Sequence, residues 1–164
     1  MRFPLWKART QPELKESVSA PRHFELGRRG EALAIEHLEQ RGYRIVASNF
    51  SLPIGRNLRD VVVKAEIDIV AYDVSTLCFV EVKTRASDDF APPQANVDLR
   101  KRRQIARAAL AYRRMLGLMS APYRYDVVTV VAKPDGTAPR LELIKGFWSD
   151  TKLKQRKWHE HYWD

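Results

Sequence analysis

Asp68, Glu81 and Lys83 are the residues whose types and spacing predict chemistry in this sequence. They lie in two short segments, 66–70 and 79–83, in which charged and apolar residues alternate. A period of two with many β-branched residues is typical of strands that have two different faces. A polar stretch between the segments reads as a turn. We therefore expect the two segments to form the strands of one hairpin.

The register of this hairpin brings the three residues together. A four-residue loop between the strands would pair Tyr72 with Leu77. Counting back from that pair places Asp68 opposite Glu81, and directly opposed Cβ atoms in a sheet are about 5 Å apart. Lys83 follows Glu81 by two residues and so lies on the same face. The pattern predicts two adjacent carboxylates with an ammonium group beside them.

A divalent cation is one answer to the repulsion between two adjacent carboxylates. Mg²⁺ takes one or two carboxylates together with waters and a phosphate oxygen. Mn²⁺ suits the same oxygen ligands. A lysine nearby can stabilise a developing anion or orient a water. Asp68 and Glu81 are therefore predicted metal ligands, and Lys83 a catalytic residue, for the metal-dependent hydrolysis of phosphodiesters.

The same pattern has a purely structural interpretation. An antiparallel strand alternates polar and apolar residues whenever one face is wet, and Glu66 and Lys83 would then form a cross-strand ion pair. On the other face of the hairpin, Ile67 and Val82 are predicted to point into a core. The hairpin alone leaves both interpretations open.

A first helix is predicted between residues 23 and 41, with Gly42 as its stop. Glu31 lies at the edge of its apolar stripe, where a carboxylate can face a site beside the core or be an ordinary boundary charge. A second helix is predicted from Asp98, its N-cap, to Leu116. It carries seven basic residues and one acidic residue.

The basic residues of the second helix predict contact with nucleic acid. Lys101 lies on the flank of the apolar stripe, from which it can turn toward the carboxylates. A row of one-signed charge lacks the compensating acids of an ordinary solvated face, and guanidinium groups bind phosphate bidentately. The predicted nucleic-acid-binding residues are Arg100, Lys101, Arg103, Arg107 and Arg114.

Composition agrees with a basic, single-domain protein. The chain has 164 residues, 45% of them hydrophobic, and a net charge of +9. This balance favours an acidic partner, either nucleic acid or an anionic membrane surface. No apolar run approaches the length of a membrane span, and the N-terminus lacks a signal-peptide segment, so a cytoplasmic protein without a membrane partner is predicted. The single cysteine, Cys78, excludes an internal disulfide.

The chain divides into three predicted regions. Residues 1–22 are predicted to be a flexible basic arm, 23–145 an α/β domain, and 146–164 a basic aromatic tail. Further strands are expected near 43–50, 123–132 and 141–144, with a loop at 51–60. The aromatic tail is suited to stacking on unpaired nucleotides, or to packing onto the body or onto a second subunit in a homodimer.

The ordered motifs of the chain resemble the YraN family of uncharacterised bacterial proteins. That family is similar to the archaeal Holliday-junction resolvases of the PD-(D/E)xK nuclease superfamily. Residues 51–64 form a longer connection than the family pattern has, and Ala65 replaces its glycine. The resemblance is carried by Gly27–Ala32, Gly42-Tyr43, Asn49-Phe50, Glu66-Ile67-Asp68, Phe79–Arg85, Lys101 and Arg124–Val128.

The resemblance implies a restriction-endonuclease-like core, a mixed β-sheet flanked by helices. It also implies that Asp68 and Glu81 bind the metal, that Lys83 is the catalytic lysine, and that Glu31 is the acid of the first helix. The expected function is thus a Mg²⁺- or Mn²⁺-dependent endonuclease acting on nucleic acid, DNA in the first place, with structured or branched DNA as a candidate substrate. The alternatives are a non-catalytic nucleic-acid-binding module with a nuclease-like fold, and a protein-interaction subunit whose acids are only ion-paired.

Overall fold

The structure is a computed structural model that describes residues 22–56, 58–85, 97–132 and 137–150, with side chains from residue 27 onward. Most of the predicted basic arm and the end of the predicted tail lie outside these ranges. The elements are α1 (Arg22–Glu39), β1 (Tyr43–Arg56), β2 (Val62–Asp73), β3 (Thr76–Arg85), α2 (Leu99–Met115), β4 (Tyr123–Val131) and β5 (Arg140–Trp148).

The five strands form one mixed sheet in the order β1-β2-β3-β4-β5. β3 and β4 are parallel, and the other neighbours are antiparallel. A parallel pair needs a long crossover, and the segment that contains α2 supplies it. This arrangement confirms the predicted α/β class and the restriction-endonuclease-like core, a mixed sheet flanked by helices.

The two helices cover opposite faces of the sheet. Ala34 and Leu38 of α1 pack in one cluster of buried side chains, whereas Ile105 and Tyr112 of α2 pack in the other. Successive residues of β3 alternate between these clusters, as a strand buried on both faces requires. Phe79 packs in the α2 cluster. Residues of β3 that are an even number of positions from Phe79 therefore face α2 as well.

Both helices begin and end close to the predicted residues. The Asp98 side chain accepts a hydrogen bond from the Lys101 backbone N–H at 2.7 Å and so caps α2. Gly42 and Gly117 follow the two helices with φ of 82° and 67°, the left-handed conformation that glycine adopts without strain. α2 thus starts at a fixed point, three residues before Lys101.

The predicted loop at 51–60 is wrong for its first half, because β1 continues to Arg56. Pro53, Gly55 and Asn57 suggested a loop, yet Leu52 and Ile54 pack against the α2 cluster. β1 is an edge strand, where proline is tolerated because its missing N–H faces away from the sheet.

The hairpin between β2 and β3 has the predicted register and a shorter turn. Tyr72 pairs with Leu77 as predicted, but Asp73 also pairs with Thr76. The loop therefore has two residues rather than four. Val74 takes a φ of 56° there, the positive φ that two-residue hairpin turns require.

The last strand is longer than predicted. β5 runs through Trp148, and Tyr125 of β4 stacks on the Trp148 ring at 4.9 Å between centroids. Phe147 and Trp148, assigned from the sequence to the tail, thus belong to the sheet, which passes the predicted boundary at residue 145. Among the described residues, no helix has the length and apolar character needed to cross a membrane.

Candidate metal site and nucleic-acid interface

Asp68 lies at the point where β2 and β3 stop pairing. The ladder of paired residues ends at Ile69 and Val80, one residue before the predicted pair of acids. Beyond it, Asp68 Oδ2 accepts a hydrogen bond from the Val82 backbone N–H at 2.7 Å. A side-chain oxygen thus satisfies a strand N–H that would otherwise need a main-chain carbonyl.

A local irregularity of β2 turns Asp68 toward α2. Ile67 packs in the α2 cluster and Ile69 in the α1 cluster, although residues two apart in a regular strand share a face. On β1, Asn49 lies between the partners of these two residues and has a φ of 51°. The prediction that Ile67 and Val82 point into one core is therefore wrong, since Val82 packs on the α1 side.

Glu81 is the buried centre of the site. Its side chain is 1% exposed, and its Oε1 accepts a hydrogen bond from Lys83 Nζ at 2.7 Å. Its Oε2 lies 3.2 Å from Lys101 Nζ, but the groups are not aligned for a hydrogen bond, and the described residues supply no other donor to this buried oxygen. Lys101 Nζ also lies 3.9 Å from Asp68 Oδ1. Two lysines therefore neutralise two carboxylates.

The electrostatics of the site are those of a crowded, poorly solvated acid pair. Burial, and then the charge of Glu81, raise the pKa of Asp68 to about 7, against the hydrogen bond from Val82 and the charges of the two lysines. Burial alone would lower the pKa of Lys101, but Glu81 and Asp68 outweigh it and raise that pKa. The ionised pair thus depends on nearby positive charge.

The geometry fits a divalent cation held by two carboxylates. The Lys101 ammonium lies beside one oxygen of each acid, where a bound cation would meet the same two charges. The unhydrogen-bonded Oε2 of Glu81 is an available ligand atom. Mg²⁺ needs no more than one or two protein carboxylates. Within the described ranges, no group of three or more His, Cys, Asp or Glu side chains is placed to hold a metal.

Glu31 is on α1, across the sheet from α2, and is half-buried. A Cβ on the preceding Gly30 would lie 1.9 Å from Thr84 Oγ1, so α1 crosses β3 next to Lys83. In the part of the chain that the structure describes, no hydrogen bond or ion pair joins Glu31 to Asp68 or to another residue of the site. Its predicted role as a metal ligand stays a prediction.

The predicted basic face of α2 divides into exposed and anchored arginines. Arg100 and Arg114 are exposed and Arg103 is half-buried, and none of their side chains has a hydrogen bond or ion pair among the described residues. Arg107, in contrast, donates to the Ile54 carbonyl of β1. It therefore anchors α2 to the edge strand, although its side chain remains exposed.

Two further basic residues of α2 are structural. Arg113 is buried, donates to the Met119 carbonyl at 2.7 Å and lies 3.6 Å from the Tyr123 ring centroid. Arg102 donates to the Val97 carbonyl at 2.6 Å. Two of the seven basic residues counted in the sequence thus secure the ends of the helix rather than facing solvent.

A second charge cluster, which the sequence reasoning missed, lies near the hairpin turn. Asp126 is fully buried and accepts hydrogen bonds from Arg124 Nε and from the Gly146 backbone N–H. Arg124 also donates to the Tyr43 hydroxyl and to Asp73. The signal was the Arg-x-Asp spacing within an apolar strand, since charged residues are almost never fully buried unless paired. The cluster joins β1, β2, β4 and β5.

Residues 30–130 match the profile described as "Uncharacterised protein family UPF0102". A UPF0102 protein of Geotalea uraniireducens (strain Rf4) is 42% identical over 120 residues, 73% of this chain and 86% of that protein. One of Chlorobium limicola (strain DSM 245 / NBRC 103803 / 6330) is 38% identical over 131 residues, 77% of this chain and 94% of that protein. These matches confirm the family resemblance seen in the motifs.

A solved structure, titled "Crystal structure of SSO0001", is similar with a TM-score of 0.39 and 16% sequence identity. The match covers 82% of this chain. The chain spans 57% of the length of that solved structure.

Proposed function

Since the chain belongs to the uncharacterised protein family UPF0102, we propose its activity from its own site: divalent-metal-dependent hydrolysis of phosphodiester bonds in nucleic acid. One observation carries the proposal. Asp68, Glu81 and Lys83 converge where the β2–β3 ladder ends, and Glu81 is buried among charges rather than exposed on a wet face. A wet strand face would leave its carboxylates in solvent.

The two acids hold the cation. Asp68 Oδ1 and Glu81 Oε2 are the oxygens nearest Lys101 Nζ, and neither accepts a well-aligned hydrogen bond. Asp68 Oδ2 stays bound to the Val82 N–H, which fixes the orientation of the carboxylate. A bound Mg²⁺ or Mn²⁺ supplies Lewis-acid polarisation of a phosphoryl oxygen. Glu31, on the helix that crosses β3 next to Lys83, would complete the ligand set directly or through a water.

Lys83 orients the attacking water and stabilises the negative charge that develops during the reaction. Its ammonium group is held 2.7 Å from Glu81 Oε1 and is 28% exposed, so it faces both the acid pair and solvent. A positive charge fixed in a partly desolvated site stabilises the anion that develops on the phosphoryl group. The tether to Glu81 keeps the charge in place without reorganisation.

The exposed arginines of α2 hold the nucleic-acid backbone. Arg100 and Arg103 lie in the first turns of α2, close to Lys101 in the chain, and Arg114 extends the positive charge toward the other end of the helix. Guanidinium groups bind phosphates irrespective of base sequence. DNA, including structured or branched DNA, is the proposed substrate.

The experiment incubates the purified chain with labelled duplex, four-way junction, flap and single-stranded DNA and with RNA, with Mn²⁺, with Mg²⁺ or with a chelator. We expect metal-dependent products from at least one substrate, and none with Asp68→Asn. Cleavage that persists with Asp68→Asn would come from a contaminant or another site. A complete lack of products would reject the enzyme.

A non-catalytic nucleic-acid-binding module is the second candidate. The observation that favours it is the pairing of both carboxylates by lysines, which leaves the site neutral without a metal. In that case the arginines of α2 would bind nucleic acid equally well with and without divalent cations. Salt-dependent binding in the absence of any product, and no Mn²⁺-induced thermal stabilisation, would support the module.

A further inference from the structure

Lys101 has a contact geometry that the proposed hydrolysis does not use. We infer that its ammonium group is a tethered counter-ion, which occupies the metal position in the metal-free protein and must leave it before a divalent cation binds. The inference rests on the proposed metal site and concerns its regulation. It assigns Lys101 a role different from the predicted contact with phosphate.

The contacts of Lys101 span both acids. Lys101 Nζ lies 3.2 Å from Glu81 Oε2 and 3.9 Å from Asp68 Oδ1, so one ammonium bridges both acids. Lys83, by comparison, pairs with the other oxygen of Glu81, Oε1. The two lysines therefore divide the pair between them. Lys101 contacts the two carboxylate oxygens that a cation would bind, whereas Lys83 contacts a different oxygen.

The buried acid pair needs a counter-charge. Glu81 is 1% exposed and Asp68 14% exposed, so an unneutralised pair would be costly to fold. Lys101 supplies the missing charge from a helix that is fixed at its N-terminus by the Asp98 cap. A divalent cation at the same oxygens would repel the ammonium at close range. Metal binding must therefore break the contacts of Lys101.

The Lys101 ammonium has room to move away from the acids. The Lys101 side chain is 31% exposed and reaches the acids from solvent-facing α2, so it can swing outward without unfolding the helix. The consequence is a site that is neutral without metal, with two carboxylates and two ammonium groups. Such a site does not repel nucleic acid before the metal arrives.

The test compares Mn²⁺ affinity of the wild type and Lys101→Met by isothermal titration calorimetry. Met keeps most of the aliphatic chain and removes the charge. We expect about tenfold tighter binding by Lys101→Met, because a charge-assisted contact no longer has to be broken. Lys64→Met is the matched control, since Lys64 is exposed on β2 four residues from Asp68. The Mn²⁺ affinity of this variant should stay within about twofold of the wild-type value at about 0.15 M salt.

A second measurement uses the wild type alone and does not depend on how the variant folds. Each lysine is acetylated with a limiting amount of an amine-reactive acetylating reagent. Mass spectrometry then measures the extent of acetylation at each lysine with and without saturating Mg²⁺. We expect the acetylation of Lys101 to rise severalfold with Mg²⁺ as its ammonium moves into solvent, whereas that of Lys64 should not change.

The outcomes separate the two proposals. Equal Mn²⁺ affinity of wild type and Lys101→Met, or Lys101 acetylation that Mg²⁺ leaves unchanged in a protein that binds the metal, overturns the role of Lys101 and leaves the metal site standing. A wild type that binds no divalent cation, in calorimetry or in a thermal melt, overturns both.

Discussion

The carboxylate of Asp68 and the backbone N–H of Val82 form a 2.7 Å hydrogen bond across the end of the β2–β3 ladder. The acid therefore has two roles. Oδ2 replaces a strand carbonyl, and Oδ1 is turned toward Lys101 and Glu81. Because the same side chain closes the ladder and faces the site, a substitution can remove the charge and keep the strand contact.

Asp68→Asn should make the metal-free protein less sensitive to pH. Since burial and Glu81 raise the pKa of Asp68 to about 7, above its value in the unfolded chain, the unfolded state binds fewer protons between about pH 4 and pH 7. The wild type should thus lose stability as the pH rises through that window. Asn keeps an acceptor for the Val82 N–H and cannot ionise.

Urea unfolding in a chelator between about pH 4.5 and about pH 8.5 measures this difference. At about pH 8 the Asn variant should be at least as stable as the wild type. Asp68→Ala is the control for the strand contact, and it should be less stable than Asn because Val82 loses its acceptor. Parallel pH curves for wild type and Asn would contradict the raised pKa.

Gly30→Ala should destabilise the protein and shift the end of β3 beside Lys83. A Cβ on Gly30 would meet Thr84 Oγ1 at 1.9 Å, so the helix and strand must separate, at a cost of about 1–3 kcal/mol. Gly27→Ala is the matched control on the same helix, because no atom of the described residues lies within 4 Å of the added Cβ. It should stabilise the helix by about 0.5–1 kcal/mol. A denaturant midpoint of Gly30→Ala at or above that of the wild type would contradict the close approach.

The sequence predicted the elements of the site because their signals are local. Alternation over 66–70 and 79–83 identified the strands, and the pairing of Tyr72 with Leu77 followed from the turn between them. The Asp98 cap and Gly117 identified α2 for the same reason. Flank position on the helix also predicted that Lys101 can turn inward, which the contact with Glu81 confirms.

The sequence did not predict features that depend on tertiary packing. The change of face at Asp68 requires both the contact with Val82 and the left-handed Asn49 on the neighbouring strand. Pro53 and Gly55 are ordinary turn signals, and the packing of Leu52 and Ile54 against α2 overrides them. Arg107 looks like any other arginine of the stripe until β1 is extended far enough to offer the Ile54 carbonyl.

Removing Arg100 and Arg103 together should weaken nucleic-acid binding and its salt dependence. If each contacts one phosphate, the slope of log affinity against log salt should fall by about 2 for duplex DNA. Arg28→Gln with Arg29→Gln removes the same charge from exposed positions of α1 on the other face of the sheet. Fluorescence anisotropy between about 50 and about 300 mM salt compares the DNA affinity of the two double variants. An equal loss for both would mean that net charge, rather than α2, guides binding.

Lys83→Met should separate hydrolysis from binding. The variant leaves Asp68, Glu81 and Lys101 in place, so Mn²⁺ should still bind, and DNA affinity should change by less than about threefold because one charge is lost. The cleavage rate should fall by about 10²-fold or more, as expected when a positioned charge or proton-transfer group is removed.

Single-turnover cleavage, with binding measured on the same substrate in Ca²⁺, tests the role of Lys83. Lys64→Met, which removes an equal charge from an exposed position on β2, should cleave at the wild-type rate. If Lys83 is only the ion-pair partner of Glu81, its substitution should lower thermal stability while the rate per folded molecule is retained. A cleavage rate unchanged by Lys83→Met would therefore remove the lysine from the reaction and leave the chemistry to the metal and the acids that hold it.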